Sequence, residues 1–159
     1  MNALASVDYS PQGYSRDMSV YVTKSPTETQ ELGRQIGRRL KPGDVVALIG
    51  SLGTGKTCLT QGIAEGLEVC PDQTVNSPTF TLINEYRGKY PLYHFDVYRL
   101  RNIEEMFDLG FEDYFYGDGV TIIEWAEKIE PLLPEECIRI ELTWIDDTVR
   151  KIELVNRDS

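Results

Sequence analysis

Five consecutive apolar residues, Val45 to Ile49, run directly into a glycine-rich turn with the sequence GSLGTGKT. An apolar run without polar alternation predicts a strand of a parallel sheet that is buried on both faces. The turn, residues 50 to 57, has the glycine, lysine and threonine spacing of a phosphate-binding loop, which joins such a strand to a helix. This feature therefore predicts an α/β fold in which helices pack on a central sheet.

The loop also predicts a ligand, namely a nucleoside triphosphate with its magnesium ion. Backbone N–H groups of Gly53, Thr54 and Gly55 would converge on phosphate oxygens at the positive end of the following helix. Lys56 would reach the β and γ phosphates, and the Thr57 hydroxyl would bind Mg²⁺, because a hard cation prefers oxygen ligands. The chain has no Asn-Lys-x-Asp motif for reading guanine, so ATP is favoured over GTP.

Length and composition predict a single domain. A chain of 159 residues with 41% hydrophobic content can cover one small sheet on both faces, and we place this domain at residues 19–157. Residues 1–18 are polar and aperiodic, and we expect them to form a loose tail. No apolar run reaches the roughly 18 residues that span a bilayer, and the N-terminus lacks the pattern of a secretory signal.

Charge and cysteine content limit the partners and the compartment. A net charge of −10 argues against independent binding of nucleic acid, which depends on lysine and arginine releasing counterions. Any role with RNA would then be indirect or would depend on a partner. The three cysteines show no metal-ligand spacing and predict no disulfide framework, so a cytoplasmic protein without membrane contact is expected.

The remaining segments predict a P-loop NTPase-like three-layer sandwich with a mostly parallel central sheet plus antiparallel strands. A capping box at Ser25 to Glu28 predicts a helix that begins at Pro26. A second helix follows the loop, and a capping pair of Asn102 and Glu105 opens a third one that ends near Leu109. The predicted strands are 20–23, 45–49, 80–86, 90–99, 120–123 and a final hairpin of 137–145 with 148–155.

Two carboxylates are candidates for the same site. In open α/β sheets ligands bind at the carboxyl ends of the strands, and Glu124 follows the apolar strand 120–123 there. Asp96 lies on the polar face of its own strand, together with His94, the single histidine. Either carboxylate could bind magnesium or orient the attacking water. The alternative is that each caps a helix or is solvated, while His94 is interpreted as a structural or hydrogen-bonding residue beside the site.

Three further residues each allow two interpretations. Thr79, in a Ser-Pro-Thr segment, could sense the γ-phosphate through the magnesium ion or belong to a simple turn. Trp125 could stack on a base or a partner, or it could pack in the core. Cys58 could be a reactive thiol at a helix N-terminus, but a packed and inert cysteine is favoured.

Taken in order, the motifs resemble those of the TsaE (YjeE) family, the bacterial ATPases required to make threonylcarbamoyladenosine (t6A) in tRNA. The resemblance covers about residues 20 to 155. Its segments are GSLGTGKT at 50–57, SPTF at 77–80, YHFDVYRL at 93–100, EE at 104–105, LGFEDYF at 109–115 and IEWAE at 123–127. Thr54 stands where the family often has alanine, and Cys58 stands where threonine or serine is usual; neither change removes a phosphate ligand.

The resemblance implies a Mg²⁺-dependent ATPase that acts on the TsaD–TsaB complex during modification of adenosine 37 and contacts tRNA only through that complex. It implies Lys56, Asp96 and Glu124 as catalytic residues, with Asp96 assisting hydrolysis and with Thr57 and Glu124 as the magnesium ligands. Thr27 would border the adenine or ribose. The complete set of implied nucleotide-binding residues is Thr27, Gly53, Thr54, Gly55, Lys56, Thr57, Thr79 and Trp125.

Three functions from different classes remain open at this point. The first is an ATPase that is slow alone and is completed by its partner, since the chain shows no certain arginine finger of its own. The second is a P-loop small-molecule kinase, which would yield a phosphorylated acceptor in place of free phosphate. The third is a binding module that holds ATP without turnover.

Overall fold

The strand before the glycine-rich turn lies at the centre of one mixed sheet in the computed structural model, which describes residues 7–8, 16–78 and 80–157. The strands are β1 (Val7–Asp8), β2 (Arg16–Thr23), β3 (Val45–Ile49), β4 (Ile83–Arg87), β5 (Pro91–Asp96), β6 (Val120–Glu124), β7 (Ile138–Trp144) and β8 (Arg150–Arg157). The helices are α1 (Pro26–Arg39), α2 (Lys56–Gly66), α3 (Glu104–Asp108) and α4 (Phe111–Phe115), and a 3₁₀-helical segment covers Ala126–Leu132. Within these residues no helix combines the length and the apolar character that crossing a membrane requires.

The strand order places the parallel strands in the middle of the sheet. The order is β1-β2-β8-β7-β3-β6-β5-β4. Neighbouring strands are parallel from β7 through β3 and β6 to β5, whereas β4 pairs antiparallel with β5, and β8 pairs antiparallel with β7 and β2. Short turns cause the antiparallel pairs β4–β5 and β7–β8, because a hairpin reverses the chain whereas a parallel pair needs a crossover.

Alternate residues of β3 face two different hydrophobic cores. Val46 and Leu48 pack with α1 and α2, and Val45 and Ala47 pack with α3, α4 and the 3₁₀ segment. A strand buried on both faces has no polar alternation, which is the pattern that the sequence shows. The predicted three-layer α/β sandwich with central parallel strands is confirmed.

The structure extends the sheet into part of the predicted tail. Of residues 1–18 it describes 7–8 and 16–18, and these lie in β1 and β2 and not in a loose segment. The pairing has a physical cause, since β8 runs to Arg157 and its backbone groups pair with β2 back to Arg16. The remaining tail residues lie outside the described residues, and the single domain at 19–157 stays a prediction.

Local capping explains where α1 begins. The Ser25 hydroxyl accepts a hydrogen bond from the Glu28 N–H at 3.1 Å, and Pro26 occupies the first helical position. In α3, the Asn102 side chain accepts from the Glu105 N–H at 3.3 Å, as the capping pair predicts. The helix α4 and the 3₁₀ segment were not predicted, because each is too short to show a helical period.

The hairpin β4–β5 is shorter than predicted at its open end, where β4 begins and β5 ends. The predicted strand 80–86 begins only at Ile83, because the Leu82 N–H donates to the Pro78 carbonyl at 2.8 Å and closes a turn. The predicted strand 90–99 ends at Asp96, whose carboxylate accepts the Tyr98 N–H at 2.9 Å. When a side chain accepts a hydrogen bond from the backbone N–H of the residue two positions later, the chain turns away from the sheet.

Helices α1 and α2 approach each other closely through glycines, which makes Gly62→Ala a test of their packing. A Cβ at Gly62 would lie 2.2 Å from the backbone oxygen of Gln30. We expect this variant to lower the free energy of unfolding by about 1–3 kcal/mol through overpacking, although alanine normally favours a helix by roughly 1 kcal/mol. Urea denaturation measures the change.

The matched control for Gly62→Ala is Arg38→Ala, at an exposed position of α1. It is expected to change the free energy of unfolding by less than about 0.5 kcal/mol. A stabilised Gly62→Ala variant would show that the two helices can separate without cost.

Candidate nucleotide-binding site

The glycine-rich loop connects the carboxyl end of β3 to the first turn of α2. Gly53 and Gly55 have φ angles of 79° and 99°, a left-handed region that favours glycine. At Gly50 the reason for glycine is close packing, because a Cβ there would lie 2.7 Å from the backbone oxygen of Leu142 on β7. The backbone can therefore form a loop at the N-terminus of α2, where free N–H groups favour anions.

The Lys56 side chain folds back onto this loop. Its Nζ donates to the carbonyl oxygens of Gly50 at 2.5 Å and Ser51 at 2.9 Å, and it lies 3.8 Å from the centroid of the Trp125 ring. Lys56 is only 6% exposed. The ammonium group is thus held on the loop by neutral carbonyl acceptors, which anionic phosphate oxygens could replace with stronger hydrogen bonds.

Burial and nearby carboxylates act in opposite directions on this ammonium. Burial is the larger effect and lowers the pKa of Lys56 below its ordinary value. The negative charges of Glu124, Glu127 and Asp96 act to raise the same pKa. A bound polyphosphate would add further negative charge and favour the charged amine.

Glu124 contacts the loop from the neighbouring strand. It ends β6, where it pairs with Leu48 of β3, and it is only 2% exposed. Its Oε1 accepts the Thr57 hydroxyl at 3.1 Å, and its Oε2 lies 2.5 Å from Nε2 of His94. The structure therefore brings together Thr57 and Glu124, the two residues predicted to bind magnesium.

Asp96 lies beside Glu124 at the same edge of the sheet, because these two residues pair across β5 and β6. One carboxylate oxygen accepts the Ser77 hydroxyl, and the other accepts the Tyr98 N–H. Asp96 is 4% exposed and forms part of the wall of a cleft above the loop. The second predicted carboxylate is thus close to the first, within the region where the phosphates would lie.

The cleft has a volume of about 480 Å³, within the range of small-molecule sites. Trp125 lies over Lys56 in a left-handed conformation with φ 63°, which costs about 1–3 kcal/mol for a non-glycine residue. Its ring also packs on Tyr98, with centroids 4.7 Å apart. The lining residues are Leu52, Gly53, Thr54, Gly55, Lys56, Thr57, Cys58, Ser77, Asp96, Tyr98, Glu124 and Trp125.

One predicted residue, Thr27, is not among the described residues that line this cleft. Thr27 is exposed in the first turn of α1 and is not among the described lining residues, although the carbonyl of its neighbour Pro26 accepts the Cys58 thiol at 3.3 Å. Thr79 lies outside the described residues.

The sequence did not single out Arg150, which donates to the Gly53 carbonyl at 3.1 Å. No local signal marks that contact, since the two residues are far apart in the chain.

The oxygen atoms of Thr57 and Glu124 suit a magnesium ion that is shared with a nucleotide better than a metal ion that only protein side chains hold. Within the described ranges, no group of three or more His, Cys, Asp or Glu side chains could hold a metal ion. Magnesium in nucleotide sites needs only one or two protein oxygens, because phosphates and water supply the others. Thr57 and Glu124 meet that requirement.

The structure supports the inert interpretation of Cys58. Burial raises the pKa of its thiol, more than the Arg150 charge lowers it. At pH 7.5 we therefore expect iodoacetamide to alkylate exposed Cys70 at least about tenfold faster than Cys58, because the thiolate is the reactive form. Peptide mass spectrometry over time measures both rates. Equal rates would instead indicate a reactive thiol at the site.

A glycine-rich loop at the end of a central parallel strand, with a buried carboxylate on the next strand, defines a P-loop NTPase-like fold. Residues 23–152 match the family model described as "Threonylcarbamoyl adenosine biosynthesis protein TsaE". The chain belongs to this family.

Relatives with similar sequences carry the name tRNA threonylcarbamoyladenosine biosynthesis protein TsaE. The protein of Bacillus subtilis strain 168 is 47% identical over 131 residues, which cover 82% of this chain and 80% of that protein. The protein of Treponema pallidum strain Nichols is 44% identical over 131 residues, which cover 82% and 96%. Among solved structures, YdiB of Bacillus subtilis superposes with a TM-score of 0.79 at 38% identity, covering 92% of this chain and 90% of that one.

Proposed function

We propose that this protein is the Mg²⁺-dependent ATPase that acts on the TsaD–TsaB complex in the cytoplasm during t6A modification of tRNA. The observation that carries the proposal is the contact of Thr57 with Glu124 at 3.1 Å, beside Lys56 on the phosphate-binding loop. An anion cradle, a buried cation and a carboxylate paired with a hydroxyl together match the needs of a magnesium nucleotide.

Each residue then has a distinct role. The backbone N–H groups from Gly53 to Thr57 would hold the phosphates, and Lys56 would exchange its loop carbonyls for β and γ phosphate oxygens. Thr57 and Glu124 would hold the magnesium ion, which when bound supplies positive charge to the phosphate oxygens. Asp96, fixed by two hydrogen bonds, would assist hydrolysis, and either carboxylate could orient the attacking water.

The same site suggests slow hydrolysis in isolation. Phosphoryl transfer requires that the negative charge on the transferred group be neutralised, and an arginine often supplies part of the positive charge that does so. Lys56 is the cation among the described lining residues, and no arginine is among them. Exposed groups at the mouth of the cleft, Leu52 and Tyr98, offer a surface where the TsaD–TsaB pair could dock and complete the site.

Phosphate release from Mg·ATP, measured for the pure protein alone and with a purified TsaD–TsaB pair, tests this function. Faster release with the pair is expected. The same rate with and without the pair would contradict the partner-dependent part of the proposal. A phosphorylated small-molecule acceptor in place of free phosphate would identify a kinase instead, and binding without any product would identify a module that only holds ATP.

A further inference from the structure

His94 is fully buried directly behind Glu124. On β5 it pairs with Ile122 of β6, so Glu124 lies two residues further along the same face of the neighbouring strand. This diagonal places His94 Nε2 2.5 Å from Glu124 Oε2, although His94 is 0% exposed and does not line the cleft.

We propose that His94 is a positioning residue of the ATP site, an inference that rests on the proposed function. By holding Oε2 of Glu124, it directs Oε1 toward the Thr57 hydroxyl and thus toward the magnesium ion. The carboxylate is therefore oriented before the nucleotide binds, in the way that ligating carboxylates are commonly fixed by a hydrogen bond behind them.

The hydrogen bonding of the ring points to this single role. A carboxylate oxygen that is to hold magnesium must accept and not donate, so the proposal requires Nε2 to be the donor in the contact with Glu124. The other ring nitrogen, Nδ1, is buried and has no hydrogen-bond partner among the described residues. Leu92, two residues earlier on the same face, is an ordinary core residue, and an apolar side chain at 94 would pack there without an unpartnered polar atom. The bond to Glu124 is what the polar ring contributes.

Without the ring, the Glu124 side chain would lose one of the two hydrogen bonds that it makes with described residues. A carboxylate that is 2% exposed has little access to water, so it would turn toward another donor or positive charge. Lys56, whose ammonium interacts with the Glu124 charge, is such a partner. Both residues would then be displaced from the arrangement that suits the magnesium nucleotide.

The first test compares His94→Leu, which removes the donor, with His94→Gln, whose amide nitrogen can reach the position of Nε2. Affinity for a fluorescent ATP analogue is titrated with magnesium and again with EDTA. We expect His94→Leu to raise the magnesium concentration for half-maximal binding by about 10-fold or more, and His94→Gln to restore most of the wild-type dependence. A purely structural loss would weaken binding equally with and without magnesium.

The second test uses the fact that His94 is the single histidine in the chain. In tag-free ¹⁵N-labelled protein without nucleotide, all imidazole signals belong to this residue. We expect a proton on Nε2 that exchanges slowly with solvent, and a clear change of both ring signals in Glu124→Ala but not in Lys89→Ala, which alters an exposed side chain. This measurement does not depend on whether His94→Leu folds.

The outcomes separate this inference from the proposed function. Wild-type protein that binds the analogue equally with magnesium and EDTA would overturn the proposed function. If His94→Leu kept the full magnesium dependence of the wild type, this result would overturn the positioning role alone. A ring proton on Nδ1 in place of Nε2 would also overturn it.

Discussion

Replacing Lys56 by alanine is expected to lower ATP-dependent phosphate release by about 10²–10³-fold, the usual effect of removing one preorganised charge from a reacting group. The Nζ of Lys56 contacts two carbonyls of the loop, and the residue lines the cleft in which the β and γ phosphates would lie. Phosphate release and analogue binding, measured on the same preparation, show whether affinity or turnover is lost.

The fold should survive this change. Burial already disfavours the ammonium form, as the lowered pKa of Lys56 shows, so its removal relieves an unfavourable desolvation. The favourable contacts that are lost are the two hydrogen bonds to the Gly50 and Ser51 carbonyls, worth about 0.5–1.5 kcal/mol each, and the contact with the Trp125 ring, worth about 0.5–1 kcal/mol. Because the relieved desolvation offsets part of this, urea denaturation should detect a loss of no more than about 3 kcal/mol.

The matched control is Lys89→Ala, because Lys89 is exposed and also lies over an aromatic ring, that of Tyr90 at 5.6 Å. This variant should keep wild-type phosphate release. Normal turnover by Lys56→Ala would show that the loop does not hold the reacting phosphates.

Local signals made much of the fold predictable. An apolar run predicts the bounds of β3, a capping box predicts the start of α1, and a turn predicts the hairpin of β7 and β8. Each of these signals lies within a few neighbouring residues. The loop is predictable for the same reason. Elements without such signals were missed, since the short α4 is stabilised by packing Phe111 and Phe115 into a core made by distant strands.

The sequence predicts that several candidate residues lie at one edge of the sheet, but it does not predict their contacts. Glu124 could be placed at the edge of the sheet because it ends an apolar strand. The hydrogen bonds that fix it depend on β5 being the neighbour of β6 and on the register of that pair. The sequence does not specify either of these, so the bond of His94 to Glu124 and that of Ser77 to Asp96 emerge only from the structure.

Glu124→Ala is expected to weaken magnesium-dependent hydrolysis by about 10–100-fold, the typical effect of disturbing a metal site. It should also destabilise the protein by about 1–3 kcal/mol, because His94 would keep a buried ring with no acceptor. Phosphate release as a function of magnesium concentration and urea denaturation measure the two effects. An unchanged magnesium dependence would remove Glu124 from the site.

Glu124→Gln separates these two effects. The amide oxygen can still accept a hydrogen bond from His94, so the stability should lie close to that of the wild type, whereas the loss of negative charge should still weaken the magnesium dependence. The control Glu130→Ala removes an exposed carboxylate paired with Arg139, a contact worth about 0–1 kcal/mol, and should leave hydrolysis unchanged. If Glu124→Gln hydrolysed ATP with wild-type magnesium dependence, the carboxylate would act only as a packing partner of His94, and Asp96 would become the candidate for the magnesium ligand.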